Sequence, residues 1–401
     1  MTGRPIRTLL FSTLYPSVVR PVHGIFVETR LRELLKTGEV QTKVVAPVPW
    51  FPFKGQRFGE YGKFAATPKH EVRHGIEVHH PRYFLPPKVG MLVAPRAMAS
   101  AAMPVIRRLI SDGFDFDLID AHYYYPDGVA AGIIAEQLGK PFVVTARGTD
   151  LNLIPEYPKP RQMILETARK AAASIGVCKA LMDRLKELGA DSDKLHVLRN
   201  GVDLERFQPV DRREARERLG LPLDRRIIIS VGRLAEVKGH HVAIEALGKL
   251  PQDILVLVGG GPERQRLADL AKRCGVENRV RFAGQVANEE LKNWYSAADV
   301  LVLCSSREGW ANVLLESMAC GTPVVATTIW GTPEVVASRD AGVLMQTRDA
   351  EGLLAALNEL TQSLPDRATV RAYAEKFSWD ATSQGQLALF SSVLGKGTHC
   401  D

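Results

Sequence analysis

The apolar residues of this chain come in short unbroken runs, such as TLLF, FVVTA, IIISV, ILVLV and VLVL, with helical patterns between them. A strand that is apolar on both sides has to be covered on both faces. Such strands are typical of parallel sheets built from βα units. The fold class that follows is α/β, with three layers around each sheet. Strands are predicted over 6–11, 43–46, 117–121, 141–146, 174–178 and 195–198, and then over 226–231, 254–259, 280–283, 300–304 and 324–327. A length of 401 residues exceeds one ordinary core and predicts two Rossmann-like domains facing each other across a cleft. The segment RNGVDLERFQP carries the Asn200-Gly201 turn pair and Pro209 ahead of a helix over Arg212 to Leu219, and marks the boundary. The domains are then 1–200 and 201–378. A last helix, 379–396, starts after Ser378 and aligns Leu387, Phe390 and Leu394 on one face that needs a partner surface.

Charge is uneven. Residues 1–200 hold 28 Lys+Arg against 19 Asp+Glu, a net +9, and the remainder holds 24 against 26. A basic face fits a phosphorylated acceptor or an anionic leaflet, and also nucleic acid on charge alone. The five cysteines, Cys178, Cys274, Cys304, Cys320 and Cys400, are widely spaced and mostly set in apolar runs, as reduced thiols of a cytoplasmic protein are. No Cys/His spacing points to zinc. Asp115 and Asp117 precede a strand at its amino end, where a metal-binding role is not expected. The N-terminal apolar stretch ends at Pro16 with no cleavage site and reads as a first strand. The apolar region Val89 to Ile106 is broken by two prolines and Arg96, so no membrane span is expected. Between Ala46 and His70, aromatics mix with Pro, Lys and Arg without periodicity, as in a long functional loop.

Three segments carry chemistry. In SVGRLAEVKGHHVAIEAL a buried strand turns at Gly232, and Arg233 and Lys238 precede a helix. A planar fork, a point charge and helix N–H groups together suit a diphosphate. In SSREGWANVLLESMACGTPVVAT a strand leads to Glu308, and a helix begins near Asn312 as N-cap. Glu316 follows just over one turn later, so both carboxylates can face the crevice above the strand ends and accept sugar hydroxyls. Gly309, Trp310, Ala311, Asn312 and Val313 would offer backbone to phosphate or sugar. In VLVGGGPERQRL the glycines do not fit a dinucleotide fingerprint, because Arg264 takes the third glycine position. Gly259 and Gly261 are left with the weaker implication that backbone approaches a nucleotide closely. In the first half, Gly24 can bring amides to a phosphate. His122 ends its strand where open α/β sheets bind ligands, and His23, Arg147 and Asp150 are acceptor-side candidates.

Taken in order, GRLAEVKG and EGWANVLLE, with NGVDLERFQP at the boundary, resemble the family-4 retaining glycosyltransferases of GT-B fold. The resemblance implies Glu308 at the donor sugar, Glu316 at the ribose, Arg233 and Lys238 at the diphosphate, Gly24 in the first loop and His122 in the donor site. It implies a final helix that crosses back to the N-terminal domain. It also implies a hexosyltransferase reaction with retention, without metal or other cofactor, from a nucleotide-diphosphate sugar. The sequence departs from many members where it has Arg147-Gly148 and His23-Gly24, both on the acceptor side. The acceptor is expected to be a sugar or a lipid-linked precursor of a polysaccharide or glycoconjugate. The protein would then be cytoplasmic, at most peripheral at the inner face of the membrane, and no nucleic-acid partner is expected. The competing readings are a nucleotide-sugar epimerase or phosphorylase on the same fold, and a basic module that binds anionic surfaces without catalysis.

Overall fold

In the structure, a computed structural model, residues 4–86 and 90–395 are described. The chain divides into two units, one running to Arg199 and resuming at Asp380, the other Asn200–Trp379.

The first unit is built on strands β1 (Ile6–Phe11), β2 (Val40–Val45), β3 (Val48–Pro49), β4 (His70–Arg73), β5 (Ile76–His79), β6 (Arg82–Tyr83), β7 (Leu118–His122), β8 (Phe142–Ala146), β9 (Ala173–Gly176) and β10 (Leu195–Val197). Its main sheet has the order β10-β9-β8-β7-β1-β2-β5-β4. All neighbours are parallel except β4 and β5. Leu9, Leu10 and Phe11 of the central strand are fully buried, as an apolar run covered on both faces requires. The final helix, Trp379–Val393, places Leu387 and Phe390 in a core with Ile6, Leu34, Leu118, Val143 and Ile175. Burying that helix face supplies the partner surface its apolar stripe needs.

The second unit holds β11 (Ile227–Val231), β12 (Ile254–Val258), β13 (Val280–Gly284), β14 (Val300–Leu303), β15 (Val324–Thr327) and β16 (Gly342–Met345). They pair in parallel in the order β13-β12-β11-β14-β15-β16. In both sheets the strand order reverses once in the middle, between β1 and β7 and between β11 and β14. Ligands of open α/β sheets bind at the carboxyl ends of such a reversal.

Several expectations need correction. The segment from Ala46 to His70 is not a structureless loop: it contains β3, a short 3-10 turn and a helix over Gly59–Ala66. β4, β5 and β6 carry no long apolar run, and the predicted strand set lacks them, as it lacks β3 and the short apolar β16. The two prolines do not break the region after Val89: Pro95 and Pro104 lie inside one helix, Gly90–Ser111. Its buried Ala94, Met98, Ala102, Ile106 and Leu109 share one stripe, so tertiary packing outweighs the two missing N–H donors. Among the described residues no helix is long and apolar enough to cross a membrane, and no disulfide joins Cys178, Cys274, Cys304 or Cys320. Val89, Cys400 and the residues beyond Gly395 lie outside the described residues.

Candidate active site

In the second unit the candidate residues gather where β11 and β14 end. After Val231, Gly232 takes φ 152°, a 3-10 turn covers Glu236–Lys238, and Gly239 at φ 68° caps the helix His240–Leu247. A Cβ on Gly239 would lie 1.9 Å from the Cys304 carbonyl oxygen, so only glycine lets this loop pack against the end of β14. The loop is braced by a residue that the sequence motifs did not single out. His240 is buried, with Nδ1 3.0 Å from Ser230 Oγ and Nε2 3.2 Å from the Arg233 carbonyl oxygen. A carbonyl only accepts, so Nε2 carries the proton and Nδ1 receives the serine hydroxyl. Burial lowers its pKa to about 4, which keeps the ring neutral. The only sequence signal for it was its place at the first turn of that helix.

Lys238 Nζ donates to Glu308 Oε1 at 2.6 Å, and Ser305 Oγ donates to the same oxygen at 2.6 Å. The side chains are 27% and 10% exposed, so the ion pair is largely shielded from water. Arg233 is exposed. Adjacent strands thus bring a lysine and a glutamate from 70 residues apart into contact.

Asn312 is not the N-cap: the helix is Asn312–Ala319, its cap is Ala311, and no side chain caps it. Asn312 Oδ1 instead accepts from Asn200 Nδ2 at 3.3 Å. The Asn312 and Leu314 amides already bond the Trp310 and Ala311 carbonyls, so the loop itself engages both. Glu316 lies half-buried on the same helix. Glu316 Oε2 accepts from the fully buried Tyr295 hydroxyl at 2.7 Å, and burial raises its pKa. Only Glu308 meets Lys238.

The glycine triplet has a structural explanation. A Cβ on Gly259 would sit 1.9 Å from Gly232 O, and one on Gly261 would sit 2.3 Å from Leu234 O. Gly232 N also donates to Val258 O, and Leu234 N to Gly260 O. The two βα loops interlock backbone to backbone, and this close approach already requires glycine without any nucleotide.

In the first unit, Gly24 is left-handed at φ 68° and caps the helix Ile25–Leu35; its missing Cβ leaves room for the Leu14 backbone. His23 Nε2 donates to Thr13 O at 3.0 Å. Thr13 is held by its amide and its hydroxyl on the buried Asp127 carboxylate, whose pKa burial raises to about 7.

His122 ends β7 but presents no open nitrogen. Arg147 donates to Nδ1, because a guanidinium cannot accept, and Nε2 donates to Asp120 Oδ2 at 3.2 Å. The ring is 1% exposed, and burial lowers its pKa to about 4. The expected donor-site role is therefore revised: His122 is a neutral link in a buried network. Gln386 of the final helix joins it, donating to Asp120 Oδ2 at 3.0 Å and accepting from Arg30 Nε at 2.8 Å. Asp150 is revised too. It is fully buried, and its two oxygens accept the amides of Tyr124, Arg147 and Gly148, which makes it a staple for the loop after β8. Asp115 and Asp117 are engaged by Lys140 and Arg4.

Residues 29–206 match Glycosyltransferase Family 4, and residues 211–377 match Glycosyl transferases group 1. A Bacillus subtilis protein named for teichuronic acid biosynthesis, the glycosyltransferase TuaC, is 32% identical over 361 residues, 88% of each chain. A D-inositol 3-phosphate glycosyltransferase of Xylanimonas cellulosilytica is 34% identical over 71% of this chain and 73% of its own. The fold is shared with sucrose-phosphate synthase from Thermosynechococcus elongatus, at TM-score 0.77 and 21% identity over 98% of this chain and 100% of that one. It is shared also with Anabaena HepE in complex with UDP-glucose, at TM-score 0.73 and 22% identity over 96% and 99%. Matched in both halves and across most of a relative's length, this chain belongs to the family-4 glycosyltransferases of GT-B fold, and it is an enzyme that transfers a sugar from a nucleotide-sugar donor.

Proposed function

We propose that the chain transfers a hexose with retention and without a metal, holding the donor on the loops that follow β11 and β14. The observation that carries this reading is the Lys238–Glu308 contact at the strand-order reversal of the second unit. A lysine has three N–H donors and the ion pair uses one, so the ammonium can also bind a diphosphate. Arg233, exposed on the same loop, adds a guanidinium. As the bond from the anomeric carbon to the phosphate oxygen breaks, negative charge grows on the departing diphosphate, and the two cations stabilise it without a metal. The acceptor oxygen bonds the anomeric carbon on the face the diphosphate leaves, and its proton passes to the departing phosphate oxygen. Glu308 orients the sugar hydroxyls, and Glu316, aligned by Tyr295, takes the ribose.

The acceptor is proposed to carry phosphate, free or lipid-linked, and to be read by the first unit. An open cavity of about 890 Å³ there is lined by Trp50, Phe51, Lys54, Lys69, His80 and Arg82 among others, which offers aromatic faces with cations beside them. Relatives named for D-inositol 3-phosphate support a phosphorylated acceptor. A lipid-linked form is supported by Trp50, Phe53 and Tyr61, which are exposed beside Lys54, Arg57 and Lys63. On this reading the protein works in the cytoplasm, peripherally at the membrane's inner face.

The test is a screen of UDP-, GDP- and ADP-sugars for nucleotide released by the purified chain, with and without inositol phosphate or a polyprenyl-phosphate sugar. Hydrolysis or transfer from one donor, lost in Lys238→Ala, supports the reading. Equal turnover by that variant overturns it. Absence of co-sedimentation with phosphatidylglycerol vesicles at low salt overturns the membrane part alone.

A further inference from the structure

Three ligand groups converge at the outer edge of the first unit's sheet, on the hairpin of β4 and β5. The turn residues His74 and Gly75 have φ of 48° and 79°, the doubly left-handed geometry that suits a two-residue hairpin. The register sets His70 opposite His79 and Val72 opposite Glu77. With a side-chain period of two, His70, Val72, Glu77 and His79 share one face, while Ile76 and Val78 point into the core. Nitrogen or oxygen atoms of His70, Glu77 and His79 lie within 4.8 Å of one another, and the two rings are 4.7 Å apart at their centroids.

His79 is the informative member. Its Nε2 is buried and makes no hydrogen bond, and the Glu77 carboxylate at 3.7 Å is too far away to serve. Lys43 donates to Glu77 Oε2 at 2.7 Å, which holds that carboxylate beside the His79 ring. Bonds of about 2.0–2.2 Å in a tetrahedral shell set ligand atoms about 3.5 Å apart, a side-chain adjustment of about 1 Å from the geometry seen here.

We propose that His70, Glu77 and His79 bind one divalent transition-metal ion of the Zn²⁺ class, with water completing the shell. Two imidazoles and a carboxylate suit Zn²⁺, Co²⁺ or Ni²⁺ better than Mg²⁺ or Ca²⁺. The ion fastens the edge hairpin. None of its ligands belongs to the donor set, so the proposal stands apart from the reading of Lys238 and Glu308. Strand pairing, not sequence spacing, joins His70 to His79, so no Cys/His spacing in the sequence marks the site.

The experiment is Co²⁺ titration of the full chain without a histidine tag, followed by visible absorption. One equivalent should saturate a ligand-field band, and Zn²⁺ should displace it. His70→Ala replaces an exposed residue and leaves the fold intact by circular dichroism; it should weaken binding about tenfold or more, as should Glu77→Gln, whereas His196→Ala should not. Absence of a one-equivalent band in the unmodified protein, or the same band and affinity in both His70→Ala and His79→Ala, overturns the proposal.

Discussion

Lys238 Nζ lies 2.6 Å from Glu308 Oε1, on an oxygen that the Ser305 hydroxyl also reaches at 2.6 Å. The pair closes the gap between the loops after β11 and β14, where a parallel sheet changes direction. On the proposed mechanism, removing the ammonium takes away a cation at the point where charge develops on the leaving group. Lys238→Ala should lower turnover about a hundredfold, equivalent to about 3 kcal/mol of barrier, with an unchanged circular dichroism spectrum. Glu308→Gln keeps the shape but removes the counter-charge, and its turnover should also fall severely. Steady-state kinetics on both purified variants decide this, and near-normal activity in either removes its role.

Metal-free departure makes a separate prediction. On the proposed mechanism Arg233 and Lys238 stabilise the leaving diphosphate, so nucleotide release should be the same before and after EDTA treatment. Stripping an ion from the β4–β5 hairpin would not touch these two residues. Loss of turnover that Mg²⁺ alone restores would contradict the mechanism.

Legibility in the sequence followed burial pattern. Strands such as β1, β8, β11 and β14 are dominated by apolar runs, and those runs located them to within one or two residues. β4 and β5 are half-exposed, with His70, Val72, Glu77 and His79 on the outer face, so no apolar run announces them; the His74-Gly75 turn was the available signal. At the site, the cation–carboxylate set could be read because strand–loop–helix order fixes where loops emerge. The engagement of His122 by Arg147 and Asp120 could not be read. It depends on β7 and β8 being neighbours, and on Gln386 arriving from a helix more than 260 residues later. Asp150 looked like an acceptor-side acid because sequence does not say how many backbone amides a carboxylate will collect.

His240 gives stability a dependence on acid. Burial lowers its pKa to about 4, below the ordinary 6.5, and His122 shifts the same way. The fold accepts the neutral ring, so this contribution is complete above pH 6.5 and is lost as pH falls through 4. Urea midpoints should therefore drop across that window. His240→Gln cannot titrate and should show a shallower fall. An equally steep fall in the variant would show that the ring beside Arg233 does not carry the effect.

Asp127 should act with the opposite sign. Its carboxylate is fully buried and receives the amide and hydroxyl of Thr13, yet burial raises its pKa from 3.8 to about 7. A raised acid contributes stability that is complete below about pH 4 and disappears as pH rises through 7, because the fold then has to hold an ionised group. Asp127→Asn keeps an acceptor for the Thr13 amide, offers a donor to its hydroxyl and cannot ionise. The variant should match the parent protein near pH 4 and gain on it as pH rises to 7, by an amount on the order of a few kcal/mol. Urea unfolding of both proteins from pH 4 to 8 measures the difference directly. A variant less stable than the parent at pH 8 would show that the ionised carboxylate is favoured there, with the Thr13 contacts outweighing its burial.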